Sequence, residues 1–336
     1  MRILLTGGAG YIGMHTAILL DAAGHNIVIL DDFSNSNRGN LKILNRLIGK
    51  DLISIDCDIK NSAKVRKHLK ENNIEAVVHF AGLKSVSESV TKTIDYYDNN
   101  VGGTISLLKA MDAEDIHKLI FSSSATVYGE PKYLPIDEKH PVSAMNPYGR
   151  TKLHVEEMLK DISRSGKDWK IISLRYFNPV GAHSSGVIGE YPNGIPDNLM
   201  PYINMVASGE LPHLNIFGDD YDTSDGTGVR DFIHVNDLAA GHVAAVSHLD
   251  TVSDGYDAFN LGTGVGYSVL ELVRAFEIIS KKHIELNFVG RRSGDVGACF
   301  SDPSKANDVL GWKAMESLES MCSSTWKFQC ASKKTL

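Results

Sequence analysis

Short apolar runs alternate with longer amphipathic stretches through the first half of the chain. The runs are Ile3-Leu4-Leu5, Ile27-Val28-Ile29-Leu30, Leu52-Ile53-Ser54-Ile55, Ala76-Val77-Val78-His79-Phe80, Leu119-Ile120-Phe121 and Ile171-Ile172-Ser173-Leu174. Near-continuous apolar runs, without strict alternation, predict parallel strands covered by helices on both faces. Between them, residues 12–22 and 147–163 carry helical patterns. Strand and helix alternating this regularly read as an α/β fold on a doubly wound parallel sheet.

After Pro179 the rhythm breaks. Residues 181–230 are rich in Gly, Pro, Asn and Asp, with one helical stretch at 198–208. The rhythm returns with Phe232-Ile233-His234, a helix at 237–248 and Ala258-Phe259-Asn260-Leu261. A further helix starts at Ser268, which stands at capping-box spacing from Glu271, and an alternating strand covers 284–289. The pattern predicts a large nucleotide domain from 1–179 and 232–262. A smaller, mixed α/β substrate-binding domain would comprise 180–231 and 263–336.

Composition excludes several classes. Of 336 residues, 43% are apolar and 22% charged, and the net charge of -7 is spread along the chain. No basic stripe is available for nucleic acid or an anionic membrane surface. Cys57, Cys299, Cys322 and Cys330 show no pairing framework and read as free thiols. No His/Cys cluster has metal-ligand spacing. The chain enters its first strand at once and has no long apolar run, so neither a signal peptide nor a membrane span is expected, and the cytoplasm is the expected compartment.

The first run leads into Gly7-Gly8-Ala9-Gly10-Tyr11-Ile12-Gly13, a glycine loop between a strand and a helix. Such glycines let the backbone approach a pyrophosphate, which then rests on the helix N-terminus. Asp31 ends the second strand, where a carboxylate can accept from adenosine ribose hydroxyls and repel a 2′-phosphate. NAD is therefore expected over NADP on a Rossmann-type sheet. Asp32 reads as a solvated strand-end acid. Asp58-Ile59 after the third strand could bracket an adenine, and Phe80-Ala81-Gly82 after the fourth permit close backbone approach. Lys84 could meet a phosphate, though a lone lysine is more often simply solvated.

Tyr148 and Lys152 form a Y-x-x-x-K, with Asn146 as a helix cap and Pro147 at the first helical position. Residues four apart share a helix face, so the two side chains stand together. A phenol ordinarily loses its proton near pH 10, so a base at neutral pH needs its anion stabilised by about 4 kcal/mol. The Lys152 ammonium, an oxidised nicotinamide and the helix N-terminus could each contribute. Ser122-Ser123-Ser124-Ala125-Thr126 follow the fifth strand, and Ser124 or Thr126 could bridge a sugar hydroxyl and Tyr148.

These residues resemble the extended short-chain dehydrogenase/reductase family and, within it, the UDP-glucose 4-epimerases. The matching stretches include the glycine loop, Phe80 to Lys84, Tyr96 to Asn100, Phe121 to Gly129, Asn146 to Lys152 and Leu174 to Ala182. Gly194-Ile195-Pro196-Asp197-Asn198-Leu199-Met200-Pro201, Asp225 to His234 and Asn260-Leu261-Gly262 also match. The resemblance implies a tightly bound NAD, a UDP-hexose substrate, a 4-keto intermediate and a homodimer. That dimer would form through the helix after Lys84 and the one carrying Tyr148. Tyr148 would be the base, Ser124 its companion, and Lys152 the holder of the nicotinamide ribose. Ser122, Asn99 and Tyr176 would line the cofactor site. Asn178, Asn198, Leu199, Asn215 and Phe217 would hold the UDP moiety. Arg230 and Arg292 would clamp the diphosphate, with Asp295 on the uridine ribose. Without the resemblance, Arg291-Arg292 reads as a solvated pair.

Cys299 stands where some members of the family carry a tyrosine, so the sugar pocket is expected to admit N-acetylhexosamines as well. Val296-Gly297 replaces a more usual Leu-Pro, and the chain lacks the family's C-terminal tail. A 4,6-dehydratase would need a carboxylate in the stretch Ser124-Ala125-Thr126-Val127, which has none. The remaining alternatives are an epimerase or decarboxylase of another nucleotide sugar, such as UDP-glucuronate, and a non-catalytic NAD-sensing regulator. The regulator is disfavoured because Tyr148 and Lys152 are both kept.

Overall fold

The computed structural model describes residues 1–191, 194, 196–292 and 294–332. Its strands are β1 (Arg2–Thr6), β2 (Asn26–Asp31), β3 (Ile53–Asp56), β4 (Ala76–His79), β5 (Lys118–Ser124), β6 (Lys170–Tyr176), β7 (Asn178–Val180), β8 (Leu214–Phe217), β9 (Val229–Arg230), β10 (Phe232–His234), β11 (Tyr256–Leu261), β12 (Tyr267–Ser268), β13 (Leu286–Val289) and β14 (Ala298–Cys299). Its helices are α1 (Tyr11–Ala22), α2 (Gly39–Ile48), α3 (Ser62–Glu71), α4 (Val86–Thr91), α5 (Thr93–Tyr96), α6 (Gly103–Asp112), α7 (Pro147–Ser163), α8 (Leu199–Ala207), α9 (Val235–His248), α10 (Val269–Ser280), α11 (Ser304–Leu310) and α12 (Leu318–Ser332). Between α5 and α6, Tyr97–Gly102 winds as a π-helix.

Seven strands form one sheet in the order β11-β6-β5-β4-β1-β2-β3. β1 runs parallel to both β2 and β4, so the winding reverses there, and the crevice at the carboxyl ends of β1 and β4 is the place where such sheets bind ligands. Both faces are apolar because alternate strand residues point opposite ways. Leu4, Leu30, Val77, Leu119 and Phe121 pack with Val65 and Leu69 of α3, Leu107 and Met111 of α6, and Val155 and Leu159 of α7. Their neighbours Ile3, Leu5, Ile29, Val78 and Ile120 are equally buried. The α/β class and the predicted strands are therefore as expected, with two shifts. β5 runs on through Ser124, so its serines lie in the strand and not after it. The expected strand at 284–289 is paired only over Leu286–Val289, where β8 runs alongside.

The chain forms two compact units. One comprises residues 1–127, 142–175 and 239–259, and the other 128–141, 176–238 and 260–336. The second unit has its own core, in which Met200, Ile203 and Val206 of α8, Leu272 and Phe276 of α10, and Met321 and Cys322 of α12 meet Leu214 and Ile216 of β8. The Ser268–Glu271 capping box starts α10 as predicted. Among the described residues no helix is long and apolar enough to cross a membrane.

Candidate active site

In the first unit the glycine loop passes from β1 into α1. Gly7 takes a φ of +66°, a left-handed conformation costly for other residues, and a Cβ there would stand 2.7 Å from the backbone nitrogen of Ala81. Gly10 caps α1 without any side-chain bond, so the N–H groups of the first turn have no side-chain cap. This cradle, at a positive helix end, fits the pyrophosphate of NAD. Asp31 accepts from Ala9 N at 3.0 Å, Phe33 N at 2.9 Å and Ser36 Oγ at 2.9 Å. It braces the glycine loop from the end of β2. Asp32 is an exposed acid that accepts from Ser34, as its solvated reading requires.

The other expected cofactor residues lie at or after the carboxyl ends of neighbouring strands. Asp58 is half-buried and accepts from Lys60 N at 2.8 Å, while Ile59 is buried. Phe80 lies against the His242 ring at 4.9 Å, and Ala81 N donates to Thr6 O at 3.1 Å. Gly82 and Lys84 are exposed in the turn before α4. Asn99 is half-buried on the π-helix. Asn100, its neighbour, was not singled out from the sequence. Its amide accepts from Leu83 N, donates to Leu83 O and reaches Thr151 Oγ1 at 3.1 Å, tying this turn to α7. Asn40, also missed, donates to Ala9 O at 2.9 Å.

Asn146 caps α7 by accepting from Gly149 N at 2.8 Å, with Pro147 next, as the sequence indicated. Tyr148 follows in the first turn, on the helix face it shares with Lys152. Ser124 Oγ accepts from Thr126 N at 3.2 Å and from Thr126 Oγ1 at 3.0 Å. Lys152 is buried and donates from Nζ to Ser122 O at 2.7 Å, with the ammonium 4.9 Å from the Phe121 ring and 5.9 Å from the Tyr148 ring. Burial pushes Tyr148 above its ordinary value, and the Ser124 bond works against it. The Lys152 ammonium is directed to the Ser122 carbonyl. Burial also pushes Lys152 down to about 8, opposed by Glu156.

In the second unit Arg292 lies over the Phe217 ring at 4.3 Å and pairs with Asp295 at 3.2 Å. Arg291 lies over the Tyr221 ring at 4.1 Å and donates to Asp220 Oδ1 at 2.7 Å. Both arginines are exposed, and each also meets a partner seventy or so residues away. Arg230 and Cys299 are register partners on β9 and β14. Asn178 donates its backbone N–H to Asp231 O at 2.9 Å, and Tyr176 is buried at the end of β6. Asn215 accepts from Asn287 Nδ2 at 2.8 Å. Asn198, at the cap of α8, donates its side chain to Glu190 at 2.8 Å, and Leu199 opens the helix. Ile195 lies outside the described residues. Asp231, unremarked in the sequence, is fully buried and accepts five hydrogen bonds, from Thr263 N and Oγ1, Gly264 N, and Ser301 N and Oγ.

A glycine-cradled helix end, a carboxylate closing the second strand and a tyrosine–lysine pair on a parallel sheet define an NAD-dependent enzyme. The chain belongs to the NAD dependent epimerase/dehydratase family, whose model matches residues 3–262. Within that family its relatives are UDP-glucose 4-epimerases. The one from Bacillus subtilis (strain 168) is 53% identical over 329 residues, 98% of this chain and 97% of the relative. The Homo sapiens enzyme is 50% identical over 335 residues, 98% and 96% of the two chains. A crystal structure of UDP-glucose 4-epimerase from Bifidobacterium longum, in complex with NAD+ and UDP, superposes with a TM-score of 0.96 at 48% identity over 100% of both chains. One from Stenotrophomonas maltophila, with NAD and formylated UDP-arabinopyranose bound, gives 0.97 at 47% identity over 100% of both. The dehydratase, glucuronate and regulator readings are not favoured.

Proposed function

We infer that this chain is an NAD-dependent UDP-glucose 4-epimerase that interconverts UDP-galactose and UDP-glucose through a 4-keto sugar. The Tyr148–Lys152 pair on one face of α7, with Lys152 held to Ser122 on β5, carries the reading. Bound NAD supplies the acceptor for the hydrogen at C4 of the sugar and returns it. Tyr148 takes the proton of the 4-hydroxyl, with Ser124 orienting that oxygen and its own. After the ketone has turned to present its other face, Tyr148 gives the proton back. Burial works against the phenolate, so positive charge at the site must supply what the base needs, from Lys152 and from an oxidised nicotinamide. The Gly7–Gly13 loop and Asp31 would hold the pyrophosphate and the adenosine ribose. Asp58, Ile59, Phe80, Ala81, Gly82, Lys84, Asn99, Ser122 and Tyr176 would complete the cofactor site.

The turn of the ketone requires affinity to reside in UDP and not in the hexose. Arg230 and Arg292 would take the diphosphate, Asp295 the uridine ribose, and Asn178, Asn198, Leu199, Asn215 and Phe217 the remainder of the UDP moiety. The aromatic ring under Arg292 supports that assignment by orienting the guanidinium. Cys299, with its small side chain, would admit N-acetylhexosamines. The functional division would follow 1–179 with 232–262 for NAD, and 180–231 with 263–336 for the UDP-sugar. A cytoplasmic homodimer is part of the proposal. Val90 is 63% and Ile94 83% exposed on α4 and α5, supporting a covered face after Lys84, and sedimentation of the purified protein tests it.

The deciding experiment is incubation of purified protein with UDP-galactose and no added NAD. UDP-glucose formation is expected, because NAD stays bound and is regenerated in each cycle. No product, even with NAD supplied, overturns the reading.

A further inference from the structure

Glu156 lies one helical turn beyond Lys152 and two beyond Tyr148 on α7, and it is wholly buried. A buried carboxylate persists only when fully partnered. Arg175, near the end of β6, donates from Nε to Oε1 at 3.0 Å and from Nη2 to Oε2 at 2.6 Å. Ser123 donates its hydroxyl to Oε1. Ser123 stands between Ser122, whose carbonyl takes the Lys152 ammonium, and Ser124, which neighbours Tyr148. Two consecutive residues of β5, Ser122 and Ser123, are thus tied to Lys152 and Glu156, one turn apart on α7. A slide or roll of the helix would break every one of these ties.

We propose that Glu156 is the positioning residue of the Tyr148–Lys152 pair, locking the register of α7 against β5 and β6 through Ser123 and Arg175. The proposal rests on the epimerase reading. Glu156 also acts on Lys152 through its charge. The titratable groups around Lys152 are Tyr148 and Glu156 from α7 and His79 from β4, with Arg175 of β6 beyond Glu156. His79 is neutral, pushed down to about 3 by burial. Glu156 is therefore the group that supports the ammonium against burial. Neutralising Glu156 removes that support and leaves the Arg175 charge unpaired, and both changes favour loss of the Lys152 proton.

The test uses Ser123→Ala and Glu156→Gln, purified with NAD bound and assayed with UDP-galactose across the neutral and alkaline range. Ser123→Ala keeps the ion pair. Its kcat is expected to fall on the order of tenfold with KM unchanged. Glu156→Gln is expected to move the alkaline limb of the kcat profile to lower pH by about one unit. Three results each overturn the proposal: wild-type kcat in Ser123→Ala, a loss there confined to KM, or a folded Glu156→Gln whose alkaline limb coincides with that of the wild type. If Glu156→Gln does not fold, the Ser123→Ala result decides alone. Wild-type protein that fails to convert UDP-galactose would instead defeat the epimerase reading.

Discussion

Replacing Gly13 by alanine is expected to empty the cofactor site while leaving the fold in place. Gly13 is the third residue of α1, and a Cβ there would lie 2.7 Å from both Gly7 O and Gly8 Cα and 2.9 Å from Gly8 O. All three are backbone atoms of the phosphate loop, so no side chain can swing aside. Restoring ordinary contact at about 3.4 Å requires the loop to move by about 0.7 Å. Overpacking of this kind costs about 1–3 kcal/mol. In the cofactor-free chain the loop can yield, and alanine's helix preference over glycine recovers about 1 kcal/mol. With a pyrophosphate on α1 the loop must keep its place, so the strain appears as lost affinity, roughly 5- to 150-fold. The assay is NAD released per chain on denaturing the purified protein, with a thermal melt as the control for folding. The expected result is NAD well below one per chain, with activity recovered by adding NAD. A Gly13→Ala protein carrying full NAD, and active without any added, would refute the reasoning.

Four further outcomes follow from the same geometry. Tyr148→Phe is expected to lower kcat by about 10²- to 10⁴-fold with NAD still bound, and a smaller loss in steady-state assays would point to another base. Cys299→Tyr is expected to lose conversion of UDP-N-acetylgalactosamine while keeping that of UDP-galactose, so retention of both removes volume as the argument. Asp231→Ala leaves five donors without their acceptor, the two of Ser301 buried, and is expected to cost at least about 3 kcal/mol by urea unfolding. Burial holds His79 down at about 3 and His234 at about 4. Below the ordinary histidine value near 6.5 the unfolded chain therefore binds protons that the folded chain refuses. Their stabilising contribution is complete above pH 6.5 and is lost as pH falls towards 4. His234→Gln is expected to flatten urea midpoints measured across that window, and an unchanged slope would count against the account.

What the sequence by itself determined is what neighbours along the chain decide. Apolar runs mark strands buried on both faces, glycines mark a loop that must approach a phosphate, and Asn146-Pro147 start the helix that carries Tyr148 and Lys152. Each of these is legible within a few residues, because helix and strand periods and capping act at that range. The family resemblance added the UDP residues, which have no local signature of their own.

The tertiary structure decided how the buried polar groups are satisfied. Glu156 looks like any helical acid until Ser123 and Arg175 close on it. Asp231 looks like a strand-end carboxylate until residues 263, 264 and 301 donate to it. Arg292 reads as solvated until Phe217 lies beneath it. Tyr148 reads as a ready base by spacing, yet burial raises it. Partners of buried charges come from distant segments, and desolvation depends on everything packed around a group. Neither is written in local pattern, so only the folded chain reveals which polar residues are brought together.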